Sequence, residues 1–333
     1  MTQPGGSAAS PGGPGARLPR ILTLGALSVV LVLVLAGIDV VILAKNNPSL
    51  ALNPHYYMAL GDSLSFGFQP NFDFSAGFAD DIFNDLHKVD VTGVVNYACA
   101  GETTDTMING GCVGRFAHHG SYTGPQLQAA IDFLNAARNQ GRVSPITLEI
   151  GSNDVLKDWD ASTCSASSSA EADLARMDDN LTKVILPQLL AALGTRTKAG
   201  NGDLHLLNYY NPFAKECPDS ARFVHELNDH LAADAAKFRI AVVDVYGKFG
   251  GDTGTASTIC DYTWICSQYH DVHPTDLGYR KIADAVESTL GLLQAYPLPP
   301  LAALQRLAPA RYVAEAAVWR RYLTSSRGHY LAS

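Results

Sequence analysis

From residue 56 onward the chain alternates between short, mostly apolar runs and longer segments with an apolar residue every three or four positions. The runs cover residues 56–60 (Tyr-Tyr-Met-Ala-Leu), 94–98, 146–150, 204–209 and 240–245. An apolar run of this length, bounded by turn-forming residues, reads as a strand buried on both faces. The periodic segments are 77–87 (Phe78, Ile82, Phe83, Leu86), 125–138 (Leu127, Ala130, Ile131, Leu134), 171–193, 218–238 and 275–293. Each reads as an amphipathic helix, the third kinked at Pro187 because proline lacks an N–H and crowds the preceding turn. Strands alternating with helices are βαβ units, which build a parallel sheet covered by helices on both faces. The pattern predicts one three-layer α/β domain over residues 54–294, with no internal repeat.

Both ends of the chain depart from this pattern. Residues 1–16 are mostly Gly, Pro, Ala and Ser, so 1–20 reads as a disordered tail. Residues 21–38 carry no charge, and beyond Asp39 the apolar run continues to residue 44. That is long enough to span a bilayer and longer than the core of a cleaved signal peptide. We expect a transmembrane signal anchor over 21–44, with secretion as the alternative if the segment is cleaved. Arg17 and Arg20 place the N-terminus inside, so the domain after the linker 46–54 is expected to be extracellular, joined to the membrane by this helix. Residues 295–333 open with a Pro-rich break and continue as a helical extension carrying Arg306, Arg311, Arg320 and Arg321. It either packs on the domain or lies on the membrane surface.

Composition narrows the partners. The 333-residue chain has a net charge of −8 and no basic stripe with interleaved aromatics, which excludes a nucleic-acid surface. Its six cysteines are an even number, as disulfides in an exported domain require. Pairing of neighbours (Cys99 with Cys112, Cys164 with Cys217, Cys260 with Cys266) is the simplest arrangement. No Cys-x-x-Cys pair is present, and no metal or cofactor is expected.

In a doubly wound sheet, ligands bind beyond the carboxyl ends of the strands. Those ends carry Gly61-Asp62-Ser63-Leu64, then Cys99-Ala100-Gly101, then Gly151-Ser152-Asn153-Asp154, then Tyr210-Asn211. His270-Asp271-Val272-His273-Pro274 precedes the last helix. Ser63 needs a base to become a nucleophile, and His273 is placed to be one. The oxyanion formed on attack needs neutral donors, which the Ser63 amide, the Gly101 amide and the Asn153 side chain can supply. Taken singly, each residue has an ordinary reading: Ser63 as a helix cap, Asn153 as a turn residue, Tyr209 and Tyr210 as core, His118, His119 and His270 as loop residues. The case rests on Ser63, Gly101, Asn153 and His273 occurring together, at successive strand ends and before the last helix.

Gly61-Asp62-Ser63-Leu64, the lone Gly101, Gly151-x-Asn153-Asp154 and His273-Pro274, in this order, resemble the four motif blocks of GDSL/SGNH hydrolases. The resemblance covers roughly residues 56–290. It implies a flavodoxin-like sheet of strand order 2-1-3-4-5 and metal-free ester hydrolysis through an acyl-serine. Ser63 would be the nucleophile, His273 the base, and Ser63, Gly101 and Asn153 the oxyanion hole. The chain departs from the family pattern at one point. Where the family commonly has Asp three residues before the histidine, this chain has His270, with Asp271 two before. Asp271 then orients His273 at altered spacing, or a backbone carbonyl does so, or the loop is aligned one residue off. The substrate is expected to be a small-molecule or lipid ester. A carbohydrate deacetylase shares the same chemistry, and a non-catalytic binding module on the same fold is a third reading.

Overall fold

The computed structural model describes residues 55–88, 91–114, 119–194, 203–254 and 256–291. The expected tail, membrane span, linker and C-terminal extension lie outside the described residues. No described helix is long and apolar enough to cross a membrane.

Five parallel strands form the sheet: β1 His55–Gly61, β2 Val91–Asn96, β3 Val143–Glu149, β4 Leu204–Leu207 and β5 Ala241–Val243. Their spatial order is β2-β1-β3-β4-β5, which is the expected 2-1-3-4-5. Tyr57, Met58, Ala59 and Leu60 of β1 are all fully buried. Successive side chains point to opposite faces, so helices must cover both sides. Helix Phe78–Leu86 packs against Asp276–Thr289, Gln126–Asn135 against Leu186–Leu193, and Ala170–Asn180 against Ser220–Lys237. Arg280 pins the first of these pairs. It is nearly buried and bonds Asp85 at 2.9 Å, Asp284 at 2.9 Å and Glu287 at 2.6 Å.

The structure corrects the sequence reading at several boundaries. β2 begins at Val91 and stops at Asn96, whose side chain accepts the Ala98 N–H. The polar Thr92 and Gly93 of this edge strand hid its start. β4 stops at Leu207, and the Tyr209 N–H turns to the Asn228 side chain. β5 stops at Val243 because Asp244 caps a short helix, Val245–Lys248, by accepting the Gly247 N–H. The kink expected at Pro187 is taken up one turn earlier. Residues Leu181–Ile185 widen into a π turn, closed by the Leu186 N–H on the Leu181 carbonyl. Proline then sits in the first turn of Leu186–Leu193, where a missing N–H costs little. Short helices at Ser63–Phe66, Thr104–Asn109 and Ser152–Val155, and a hairpin pairing Trp159–Asp160 with Ser165–Ala166, were too brief to show a period.

Candidate active site

Gly61 ends β1 at φ +129°, and a Cβ there would fall 1.7 Å from the Glu149 carbonyl oxygen. Only glycine lets β1 and β3 meet at this point. The chain then turns sharply, and Asp62 caps helix Ser63–Phe66 by accepting the Leu64 N–H at 2.9 Å. Ser63 thus opens the helix at the carboxyl end of the sheet. The ordinary capping role expected of serine falls to Asp62.

His273 Nε2 lies 2.8 Å from Ser63 Oγ, and its Nδ1 lies 2.6 Å from Asp271 Oδ1. The same Asp271 oxygen accepts the His273 backbone N–H at 2.8 Å. The two-residue spacing therefore makes a local Asx turn that brings the carboxylate back onto the ring. His270 takes a left-handed backbone, φ +48°, and its side chain is exposed. The loop is held by the Cys260–Cys266 disulfide, by hydrogen bonding between the Trp264 amide and the His273 carbonyl, and by the Tyr210 hydroxyl donating to the Val272 carbonyl at 2.7 Å. Phe68 packs on the His273 ring at 4.5 Å between centroids.

Asn153 is anchored beside this group. Its amide donates to Asp62 Oδ2 at 3.1 Å and to the Glu102 carbonyl at 3.0 Å. Gly101 stands in the turn after β2 at φ +80°. The two loops are tied together because Asp154 accepts the Thr104 N–H at 2.9 Å and its hydroxyl at 2.6 Å. Tyr209 and Tyr210 are buried. Tyr209 donates to Asp62 Oδ2 at 3.2 Å. His119 reaches the Phe66 carbonyl at 2.8 Å and stacks on its ring. His118 lies outside the described residues.

Two supporting residues escaped the sequence reading. Gln126 grips Gly61 from both sides, accepting its N–H at 2.7 Å and donating to its carbonyl at 2.9 Å, and also donates to Glu102 at 2.7 Å. Glu149, at the end of β3, is fully buried beside Asp62 and Tyr209. Burial, reinforced by the Asp62 charge, raises it well above the carboxylate range. Burial also pushes Glu102 up to about 7. Neither position carries a local signature, and the Gln126 contacts reach residues far along the chain.

A cavity of about 100 Å³ opens at Ser63 and His273, walled largely by Leu64, Val155, Leu156, Phe213, Phe223, Val224 and Leu227. Gly101 does not line it. The cysteines pair as neighbours, Cys99–Cys112, Cys164–Cys217 and Cys260–Cys266, leaving no free thiol among the described residues. One described cluster, Cys99, Glu102 and Cys112, has the spacing of a metal site. Both of its sulfurs are spent in the disulfide, which leaves one carboxylate as a ligand.

Among solved structures the chain is similar to an extracellular lipase from Streptomyces rimosus (21% identity, TM-score 0.44, covering 71% of this chain and 99% of that one). It is also similar to the acetylxylan esterase Axe2 from Geobacillus stearothermophilus (16%, 0.43, 71% and 94%) and to a lipase/acylhydrolase from Enterococcus faecalis (16%, 0.43, 74% and 99%). A comparison with curated proteins returns no match. The profile of one family, GDSL-like Lipase/Acylhydrolase, matches residues 57–286. That span holds β1 from Tyr57, the other four strands whole, and Ser63, Asp271 and His273, and the chain belongs to the GDSL-like lipase/acylhydrolase family.

Proposed function

We propose that this carboxylic-ester hydrolase works through Ser63 as nucleophile, with His273 as general base and Asp271 as its orienting carboxylate. The observation that carries the reading is the continuous contact from Ser63 Oγ through the imidazole to Asp271. Ser63 Oγ attacks the ester carbonyl carbon and gives its proton to His273 Nε2. Asp271 holds Nδ1 protonated and stabilises the imidazolium that forms. The Ser63 amide and the Asn153 side chain, both at the cavity, receive the oxyanion, with the Gly101 amide as the third donor that the family pattern implies. In the free site both Asn153 protons are engaged, so the oxyanion draws one of them away from Asp62 or the Glu102 carbonyl. Collapse expels the alcohol, which takes the proton from His273. Water then repeats the sequence on the acyl-serine.

The apolar wall of the cavity beside Ser63 favours an acyl chain as the occupant over a polar glycan, and so favours an esterase or lipase over a carbohydrate deacetylase. Three disulfides support an oxidising, extracytoplasmic location, and the uncharged run 21–38 supports a membrane anchor at its N-terminal side. The test is hydrolysis of p-nitrophenyl esters by the full chain and by Ser63→Ala, together with labelling by a fluorophosphonate. Activity and label should both vanish in the variant. Ester hydrolysis that survives Ser63→Ala would sink the assignment.

A further inference from the structure

Phe223 stands between two spaces. On one side it lines the 100 Å³ cavity that opens at Ser63 and His273. On the other it lines a separate groove of about 420 Å³, shared with Trp159, Cys164, Asp219, Arg222 and Glu226. Phe223 is itself buried. Trp159 backs it at 5.1 Å between ring centroids and also meets Phe213 at 5.9 Å.

This partition is held from two directions. Trp159 pairs with Ala166 across the small hairpin, and the neighbouring Asp158 accepts the hydroxyls of Ser167 and Ser169 at 2.7 and 2.6 Å. The Cys164–Cys217 disulfide ties the hairpin to the loop just ahead of Ser220–Lys237, the helix that carries Phe223. Cys217 in turn donates its N–H to the Phe213 carbonyl at 2.8 Å. The disulfide thereby links the segments that carry all three rings.

We propose that Phe223, backed by Trp159 and clamped by the Cys164–Cys217 disulfide, limits the length of acyl chain that this site accepts. The inference rests on the reading of Ser63 as nucleophile. An apolar cavity of about 150 Å³ holds the six carbons of benzene, so one of about 100 Å³ holds an acyl group of about four carbons. A longer chain runs into the Phe223 ring. Without that ring the cavity opens into the outer groove, and the added length has somewhere to go.

The test compares kcat/KM for p-nitrophenyl acetate, butyrate, octanoate and palmitate. The proteins are the full chain, Phe223→Ala and the Cys164→Ser/Cys217→Ser pair, with fluorophosphonate labelling of Ser63 measured in each. Wild type should peak at butyrate. The octanoate-to-butyrate ratio should rise at least about tenfold in Phe223→Ala, the scale on which hydrophobic pockets discriminate single methylenes, and should rise less in the cysteine pair. If Phe223→Ala does not fold, Phe223→Leu and Trp159→Leu carry the same comparison. A wild type that prefers octanoate or palmitate overturns the proposal. So does a labelled Phe223→Ala with the wild-type ratio. Wild type that hydrolyses esters without labelling at Ser63 instead removes the nucleophile assignment on which the proposal rests.

Discussion

Replacing Asp271 by Asn isolates the unusual spacing of this site. Asp271 Oδ1 is buried and accepts two protons, from the His273 ring at 2.6 Å and from its backbone N–H at 2.8 Å. An asparagine oxygen can keep the backbone bond, but the ring then faces an NH₂ donor or a neutral oxygen. The carboxylate's hold on the protonated Nδ1 is lost, and with it the stabilisation of imidazolium. Asp→Asn at an equivalent position in a serine protease triad lowers kcat about 10⁴-fold, or about 5 kcal/mol of barrier. We expect a fall in kcat of about 10³- to 10⁴-fold on p-nitrophenyl butyrate, with KM changed less than about threefold, because Asp271 does not touch the substrate. Moving the acid to the family's usual position, with His270→Asp in an Asp271→Ala background, should not restore activity. Position 270 is left-handed and its side chain faces solvent. An Asp271→Asn enzyme that keeps more than about a tenth of wild-type kcat would refute the argument and leave a backbone carbonyl as the orienting group.

Three further outcomes are expected. Asn153→Ala should lower kcat about 10²- to 10³-fold, the usual cost of one oxyanion donor; a change confined to KM would instead make Asn153 a binding residue. Gly61→Ala should destabilise the fold by about 4 kcal/mol, combining left-handed strain and overpacking, since its Cβ would sit 1.7 Å from the Glu149 carbonyl oxygen. A denaturation midpoint equal to wild type would contradict this. Glu102 gives the pH dependence. Its carboxyl rises from 4.5 to about 7 on burial, so the folded state binds its proton more tightly than the unfolded one. Its contribution is complete below about pH 4.5 and is lost as pH rises through about 7, a difference of about 3 kcal/mol. Melting temperature should fall between pH 5 and pH 8 in wild type and fall less in Glu102→Gln; equal falls in both would remove Glu102 as the cause.

The strand cores and the residue types gathered at the candidate site were legible because both are local signals. An apolar run such as 56–60 declares a buried strand by itself, and Gly61-Asp62-Ser63 declares a turn at its tip. Boundaries were less legible where a polar residue serves a neighbour. Asp244 ends β5 by capping the next helix, although Val245 continues the apolar run. The roles within the Gly-Asp-Ser turn also had to wait for contacts. Asp62, not Ser63, caps the helix, and it does so while accepting from Ser152, Asn153 and Tyr209.

By itself the sequence determined the α/β class, the run of strands and helices between them, and the residue types able to carry out serine ester chemistry. Those follow from period and composition, which are properties of neighbours along a chain. The tertiary structure decided which groups meet. The two-residue Asp271–His273 spacing closes into a hydrogen bond because the left-handed His270 and the surrounding loop turn the carboxylate back onto the ring. Gln126 grips Gly61 from 65 residues away, and Tyr209 reaches Asp62 across 147. Phe223 lines two spaces where a disulfide spanning 53 residues ties a hairpin to the loop ahead of its helix. Hydrogen bonds and packing act over a few ångströms in space, so such pairings exist only after the crossovers of the sheet have brought distant segments to one end.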